Sequence, residues 1–215
     1  MPETAATNDL WEAMYTQRAI RYFRRDPVPK ELLTKLIEAA TRAPSGSNLQ
    51  PWGFVIVTDD DMRARIAARI RERFMTSEQL KAYIEAGRNS DDPSRRIMMD
   101  GVSNIVSNLD SAPVFIFPCL HGATSPAPGG LIAGSSIYPA VQNLLLAARG
   151  LGLGAVMTTF QAPMVADLAE WLRLPENTTP VALIPLGYPA RKFGPVKRRP
   201  VEEVMHWETW GSTPA

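Results

Sequence analysis

Residues 43–57 read Ala43-Pro44-Ser45-Gly46-Ser47-Asn48-Leu49-Gln50-Pro51-Trp52-Gly53-Phe54-Val55-Ile56-Val57. The first ten are mostly small, amide-bearing or ring-constrained, which predicts a connection, and Gly53 to Thr58 is an apolar run that predicts a buried strand. Upstream, Leu32, Leu33, Leu36, Ile37 and Ala40 recur at helical spacing between Pro29 and Pro44, the pattern of an amphipathic helix. The connection therefore joins a helix to a strand. Gly46 permits close backbone approach. Ser45, Ser47, Asn48 and Gln50 offer the donors and acceptors that a heteroaromatic ring with carbonyls and ring nitrogens requires. The same composition also suits an ordinary turn.

Beyond the strand, Asp59-Asp60-Asp61 put negative charge at a helix start, and Met62, Ile66, Ile70 and Phe74 keep a spacing of four. Thr76 to Asp110 is polar with weak helical periodicity, and residues 70–110 are expected to form a helical excursion or lid. Strands are predicted at Val114 to Leu120, Gly154 to Thr159 and Pro180 to Tyr188. Helices are predicted around Ile137, Val141, Leu144, Leu145 and Ala148, and from Pro163 to Leu172, with a short one at Asp9 to Tyr15. His121 to Gly130 reads as a loop. Strands separated by helices predict a mixed or parallel sheet with helices on both faces, in one domain spanning 1–215.

The chain has 215 residues, 45% of them apolar, and a formal net charge of +1. That length supports one sizeable α/β core, and the balanced charge argues against a dedicated nucleic-acid binder. The longest apolar run, Ile137 to Met157, is broken by Gln142, Asn143, Arg149 and three glycines, so no membrane helix is expected. The N-terminal residues have neither a basic start nor an apolar core, which predicts no secretory signal and a cytoplasmic location. Cys119 is the sole cysteine and sits in an apolar run, where a packed, inert thiol is expected. His121 and His206 lack partners at metal-ligand spacing, so no metal site is expected.

Two basic clusters stand out. Arg18 and Arg21 lie three residues apart, and Lys197-Arg198-Arg199 follows far downstream; together they would clamp a phosphate if the fold joined them, and separately they are solvated cations. The arginines at 63, 65, 69, 71 and 73 read as the wet side of a helix. The run Arg149-Gly150-Leu151-Gly152-Leu153-Gly154 is not a dinucleotide fingerprint, because it follows a helix rather than a strand; Gly150 is expected to end that helix. Thr158 and Thr159 end a strand, where their hydroxyls either pack half-buried or meet a ligand.

Four blocks, QRAIRYF at 17–23, APSGSNLQPWGFVIV at 43–57, AVQNLLLAARGLGLGAVMTT at 140–159 and LIPLGYPARKFGPVKRRPVEEVM at 183–205, resemble the nitroreductase family in content and order. The resemblance implies an α+β fold with a central mixed sheet, FMN as cofactor and NADH or NADPH as hydride donor. It also implies a homodimer with FMN at the subunit interface and a C-terminal tail embracing the partner. It assigns Arg18, Ala19 and Arg21 to the ribityl-phosphate end, with Arg198 closing on the phosphate. Pro44, Ser45, Gly46 and Asn48 fall along the isoalloxazine with Gln142 close by, and Thr158 and Thr159 lie near its N5 edge. Ala19 replaces a serine common in relatives, which removes one side-chain contact. The implied reaction is ping-pong hydride transfer to a nitroaromatic, quinone or enone, with no catalytic side chain required.

Phe74 and Tyr83, in the excursion, are the expected substrate contacts. The alternatives are a flavin-dependent reductive dehalogenase, a flavin-destroying enzyme of cobamide-ligand synthesis, and a flavin-binding module without turnover. Glu78, Lys81 and Tyr83 do not reproduce the Glu, Tyr and Lys spacing of the dehalogenases.

Overall fold

A computed structural model of the chain describes residues 6–122 and 131–213, so most of the loop expected at His121 to Gly130 lies outside the described residues. Helix α1 (Leu10–Thr16) is capped by Asp9, whose carboxylate accepts from the Glu12 N–H at 2.8 Å. Helix α2 (Lys30–Ala40) starts after Pro29 and buries Leu33, Leu36 and Ala40. Strand β1 (Trp52–Val57) leads to α3 (Asp60–Thr76), capped by Asp59 through the Met62 N–H. The excursion resolves into α4 (Glu78–Arg88) and α5 (Pro93–Ser107), capped by Ser77 and Asp92. Then come β2 (Val114–His121), α6 (Leu131–Gly150), β3 (Gly154–Ala155), α7 (Val165–Trp171), β4 (Thr178–Pro180) and β5 (Ile184–Gly187).

The α+β class holds, but the expected mixed or parallel pairing does not: in the sheet β1-β2-β5-β3, with β4 also on β2, every described pair is antiparallel. The cause is the excursion. Helices α3 to α5 run out and back, so β2 begins beside the end of β1, with Val57 opposite Phe115. A helix between strands implies a parallel crossover only when it carries the chain to the far end of the sheet. The strand expected at 180–188 is split by a bulge. Pro180 faces Cys119 and Ile184 faces Ile116, leaving three residues against two.

At the end of α6 the left-handed residue is Gly152 (φ 74°), not Gly150; the Leu153 N–H reaches Ala148 O at 2.8 Å and the Gly152 N–H reaches Arg149 O at 3.1 Å. Gly150 is the last residue of the helix, as expected, and the left-handed reversal follows two residues later.

Alternation along β2 divides the core in two. Phe115 and Phe117 pack with Ile66, Ile70, Ile105 and Leu168 on the α3/α5/α7 face. Val114 and Ile116 pack with Leu36, Val141, Leu144 and Ala148 on the α2/α6 face. Each such side chain contributes roughly 1.5–3 kcal/mol by leaving water. Cys119 is buried on the first face, and burial pushes its thiol up to about 11, the chemistry of a packed residue rather than a nucleophile. Among the described residues no helix is long and apolar enough to cross a membrane, and no group of side chains could hold a metal ion.

Candidate functional site

The segment that leads to the second basic cluster runs beside the first. Residues 190–196 run back along 22–15: the Ala190 N–H reaches Tyr22 O at 2.9 Å and the Val196 N–H reaches Tyr15 O at 3.1 Å. Between these bonds, the Arg191 guanidinium lies 3.7 Å from the centre of the Tyr22 ring, and Gly194 faces the Arg18 guanidinium. Arg198 follows two residues after Val196, exposed, its Nη1 donating to Lys197 O at 2.9 Å. Ala19 packs against the core beside Ile20, whose N–H donates to Ala155 O on β3.

Arg21 packs against Gly101 of α5, and its carbonyl accepts from Asn104 Nδ2 at 2.7 Å. Burial first, and then repulsion from Arg18, holds the Arg21 guanidinium below its ordinary range. No ion pair or hydrogen bond among the described residues engages the side chain of either Arg18 or Arg21. Two close cations without a counter-ion fit a phosphate.

The loop at 44–50 forms a second feature. Ser47, Asn48 and Gln50 all have positive φ (51°, 55° and 50°), a region non-glycine residues seldom enter. Ser45 Oγ accepts from the Gln50 N–H at 3.0 Å, and Ser136 Oγ on α6 accepts from the Gly46 N–H at 3.3 Å. A Cβ at Gly46 would meet nothing within 4 Å among the described residues, so this side of the loop is open. Pro44 leads into the loop. Gln142 is exposed on α6, on one stripe with Tyr138 and Ser135.

Thr158 and Thr159 divide their roles. Thr158 extends β3 through a bridge to Leu183, and its hydroxyl donates to Leu183 O at 2.9 Å, so it faces any ligand as an acceptor. Thr159 is exposed and lines a cavity of about 350 Å³ between α3, α4 and the 159–164 turn. Phe74 lines the same cavity, edge-on to Phe160 with centroids 5.2 Å apart. Tyr83 is 55% exposed and lines neither this cavity nor the groove between α3, α4 and α5.

The structure separates these features into two groups. Arg21 and the Phe74 cavity stand on the α3/α5 side, whereas the 44–50 loop and Gln142 stand on the α2/α6 side. Six residues of β2 and three strand steps separate Trp52 from Ala155, roughly 24 Å.

Two residues that the sequence reading did not single out hold these corners in place. Ser136 anchors the loop. Arg149, 4% exposed, bonds Thr16 at 2.7 Å and Glu12 at 2.9 Å, with Phe193 stacked 4.4 Å away, fastening α1 and the tail to α6. Neither carries a sequence signal, since both act through long-range contacts. The arginine row on α3 is also not simply wet. Arg63 is buried, donating to the carbonyls of Asp110 and Ala112 and pairing with Asp60, because the turn before β2 leaves those carbonyls needing donors. Arg65 covers Trp171, and Arg71 pairs with Asp110.

A family model described as Nitroreductase family matches residues 15–188. An NADH dehydrogenase of Thermus thermophilus is 31% identical over 96% of this chain and all of its own length. Iodotyrosine deiodinase 1 of Rattus norvegicus is 29% identical over 93% of this chain and 69% of its own. Among solved structures, the NADPH:FMN oxidoreductase from Vibrio harveyi complexed with NAD+ superposes with a TM-score of 0.68 at 25% identity, covering 96% of this chain and 80% of that one. With most of its length matched and with the α+β architecture that goes with it, the chain belongs to the nitroreductase family.

Proposed function

We propose that the chain is an NAD(P)H-dependent FMN oxidoreductase of the cytoplasm, active as a homodimer, that reduces nitroaromatic, quinone or enone acceptors. The observation that supports this is the pair Arg18 and Arg21, close together without a counter-ion, with the 190–196 segment that leads to Arg198 laid beside 15–22. When bound, FMN supplies a two-electron relay between NAD(P)H and the acceptor in alternate half-reactions.

The residues do the rest. Arg18, Arg21 and Arg198 hold the phosphate, with only backbone available at Ala19. Thr158 offers an acceptor at the reacting edge, and Thr159 opens it to the cavity. Pro44, Ser45, Gly46 and Asn48, with Gln142, line the ring. Because the sheet stands between that loop and Arg21, the loop serves the cofactor held by the partner subunit. Exposed Trp11, Tyr15, Leu49, Tyr138, Trp207 and Trp210 supply apolar surface for such an interface. Solvent supplies protons, so the overall reaction balances without a side-chain acid: NAD(P)H, a proton and a nitroarene give NAD(P)+, a nitrosoarene and water.

Reductive dehalogenation is the reading suggested by the deiodinase relative. Against it, Glu78 and Lys81 pair with each other at 2.8 Å and Tyr83 points no hydroxyl into the cavity lining. The deciding experiment is spectroscopic. The purified protein is expected to carry about one FMN per chain, to bleach anaerobically with NADH or NADPH, and to recover its colour on adding a nitroaromatic. FAD, no chromophore, or a flavin that neither nucleotide bleaches defeats the proposal.

A further inference from the structure

The cavity beside Thr159 has a charge pattern that the flavin chemistry does not explain. Its walls are apolar and aromatic, from Ile70, Phe74, Leu80, Phe160 and Met164, and its volume of about 350 Å³ suits a small planar molecule. Three charged side chains reach it, Arg69, Glu72 and Arg73. Arg69 is already matched: it bonds Asp167 at 3.1 Å and Glu72 at 3.0 Å, and those two bonds, Asp167 first, raise its guanidinium above the ordinary range. Both neighbouring carboxylates are thereby engaged. Arg73, one turn further along the same helix, has no side-chain partner among the described residues. The other arginines of the row are committed elsewhere, Arg63 and Arg71 toward Asp110 and Arg65 to Trp171.

We propose that this cavity is the acceptor site and that it selects aromatic monoanions, with Arg73 as the specificity-determining residue. The inference rests on the flavin reading above and adds the substrate class to it. Phe74 and Phe160 form an aromatic wall for the ring, and Arg73 sits on the rim, where a carboxylate or phenolate carried by that ring would meet it. Its place in the last turn of α3 also complements the helix dipole, but that role asks only for a cation at the helix end and not for one lining a cavity.

The test compares 4-nitrobenzoate with its neutral isostere 4-nitrobenzamide on the FMN-loaded protein, for the wild type, Arg73→Gln and the control Arg95→Gln at an exposed position of α5. Binding of benzoate and benzamide is measured in parallel by calorimetry. The wild type is expected to favour the anion about fivefold in both kcat/KM and affinity, Arg73→Gln to bring both ratios close to one, and Arg95→Gln to leave them in place. Arg73→Lys should restore part of the preference. Reduction of both nitro compounds without an anion preference, or a preference that survives Arg73→Gln, overturns the proposal while the flavin reading stands. A benzoate preference lost in Arg73→Gln, with neither nitro compound reduced, upholds the anion site and overturns the assigned reaction.

Discussion

The cationic corner and the 44–50 loop, which we propose hold opposite ends of one FMN, are built by opposite means. In the proposed corner Arg18 and Arg21 near the start would act with Arg198 near the end, which depends on a tail pairing that only the tertiary fold supplies. The loop is one stretch of seven consecutive residues, three of them at left-handed φ and each costing of order 1 kcal/mol, held by Ser45 within it and by Ser136 on α6. One end is electrostatic and assembled; the other is conformational and pre-shaped. The repulsion already present between Arg18 and Arg21 is relieved when an anion arrives, so ligand binding should stabilise the corner more than the loop.

The sharpest way to break this comparison is to put the two ends on different chains. Co-expressing an Arg18→Ala/Arg198→Ala chain with a Gly46→Leu chain, separately tagged, should give a heterodimer with one intact site and therefore about half the normal FMN, while each parent homodimer holds almost none. If the two ends of a site came from the same chain, the heterodimer would be as empty as its parents. Gly46→Leu suits the purpose because a Cβ there meets nothing within 4 Å among the described residues of its own chain.

A smaller effect separates charge from scaffold. Arg198→Ala should weaken FMN by about 2 kcal/mol, close to thirtyfold, and riboflavin, which lacks the phosphate, hardly at all. Arg69→Ala, whose partners are Glu72 and Asp167 near the cavity, should leave FMN affinity alone. Fluorescence titration decides, and equal losses in both variants remove the clamp. Arg149→Met should cost about 1.5 kcal/mol in chemical denaturation, less than a fully buried pair because Glu12 is half exposed, and should weaken FMN more than riboflavin by loosening α1 and the tail. Equal weakening of the two flavins would leave Arg149 a stability residue only.

The helix, loop and strand over residues 30–57 were legible because their signals are local: periodicity, prolines at both ends, and an unbroken apolar run. So were the cationic residues themselves, but not the course of the tail beside them, since nothing near Arg18 in sequence announces that Val196 will pair with Tyr15. Strand direction was illegible for a related reason. Whether α3 to α5 cross the sheet or return to their starting end is fixed by packing against Phe115 and Phe117, not by their own composition. Arg63 failed the pattern reading because a long side chain can leave a polar helix face and reach the buried carbonyls of Asp110 and Ala112.

The smallest expected effect lies where the corner and the loop are both out of reach, at the acceptor end, in the α3–α5 segment that we propose acts as a substrate lid. Sequence reasoning paired Phe74 with Tyr83 as contacts, and the structure distinguishes them: Phe74 lines the cavity against Phe160, while Tyr83 is more than half exposed on α4. Removing the Phe74 ring takes away an aromatic wall, worth about 1–3 kcal/mol in discrimination, so Phe74→Ala should change the kcat/KM ratio of a nitroaromatic to a quinone by roughly tenfold. Tyr83→Ala should move it by less than about twofold if the chain's own cavity is the whole acceptor site. FMN content and the nicotinamide half-reaction should stay near normal in both, since neither side chain is among the residues we propose hold the cofactor. A tenfold shift in Tyr83→Ala would mean that α4 lies over the partner's cofactor as well, extending the exchange between subunits from the ring-holding loop to the lid. Unchanged ratios in both variants would reduce α3 to α5 to packing.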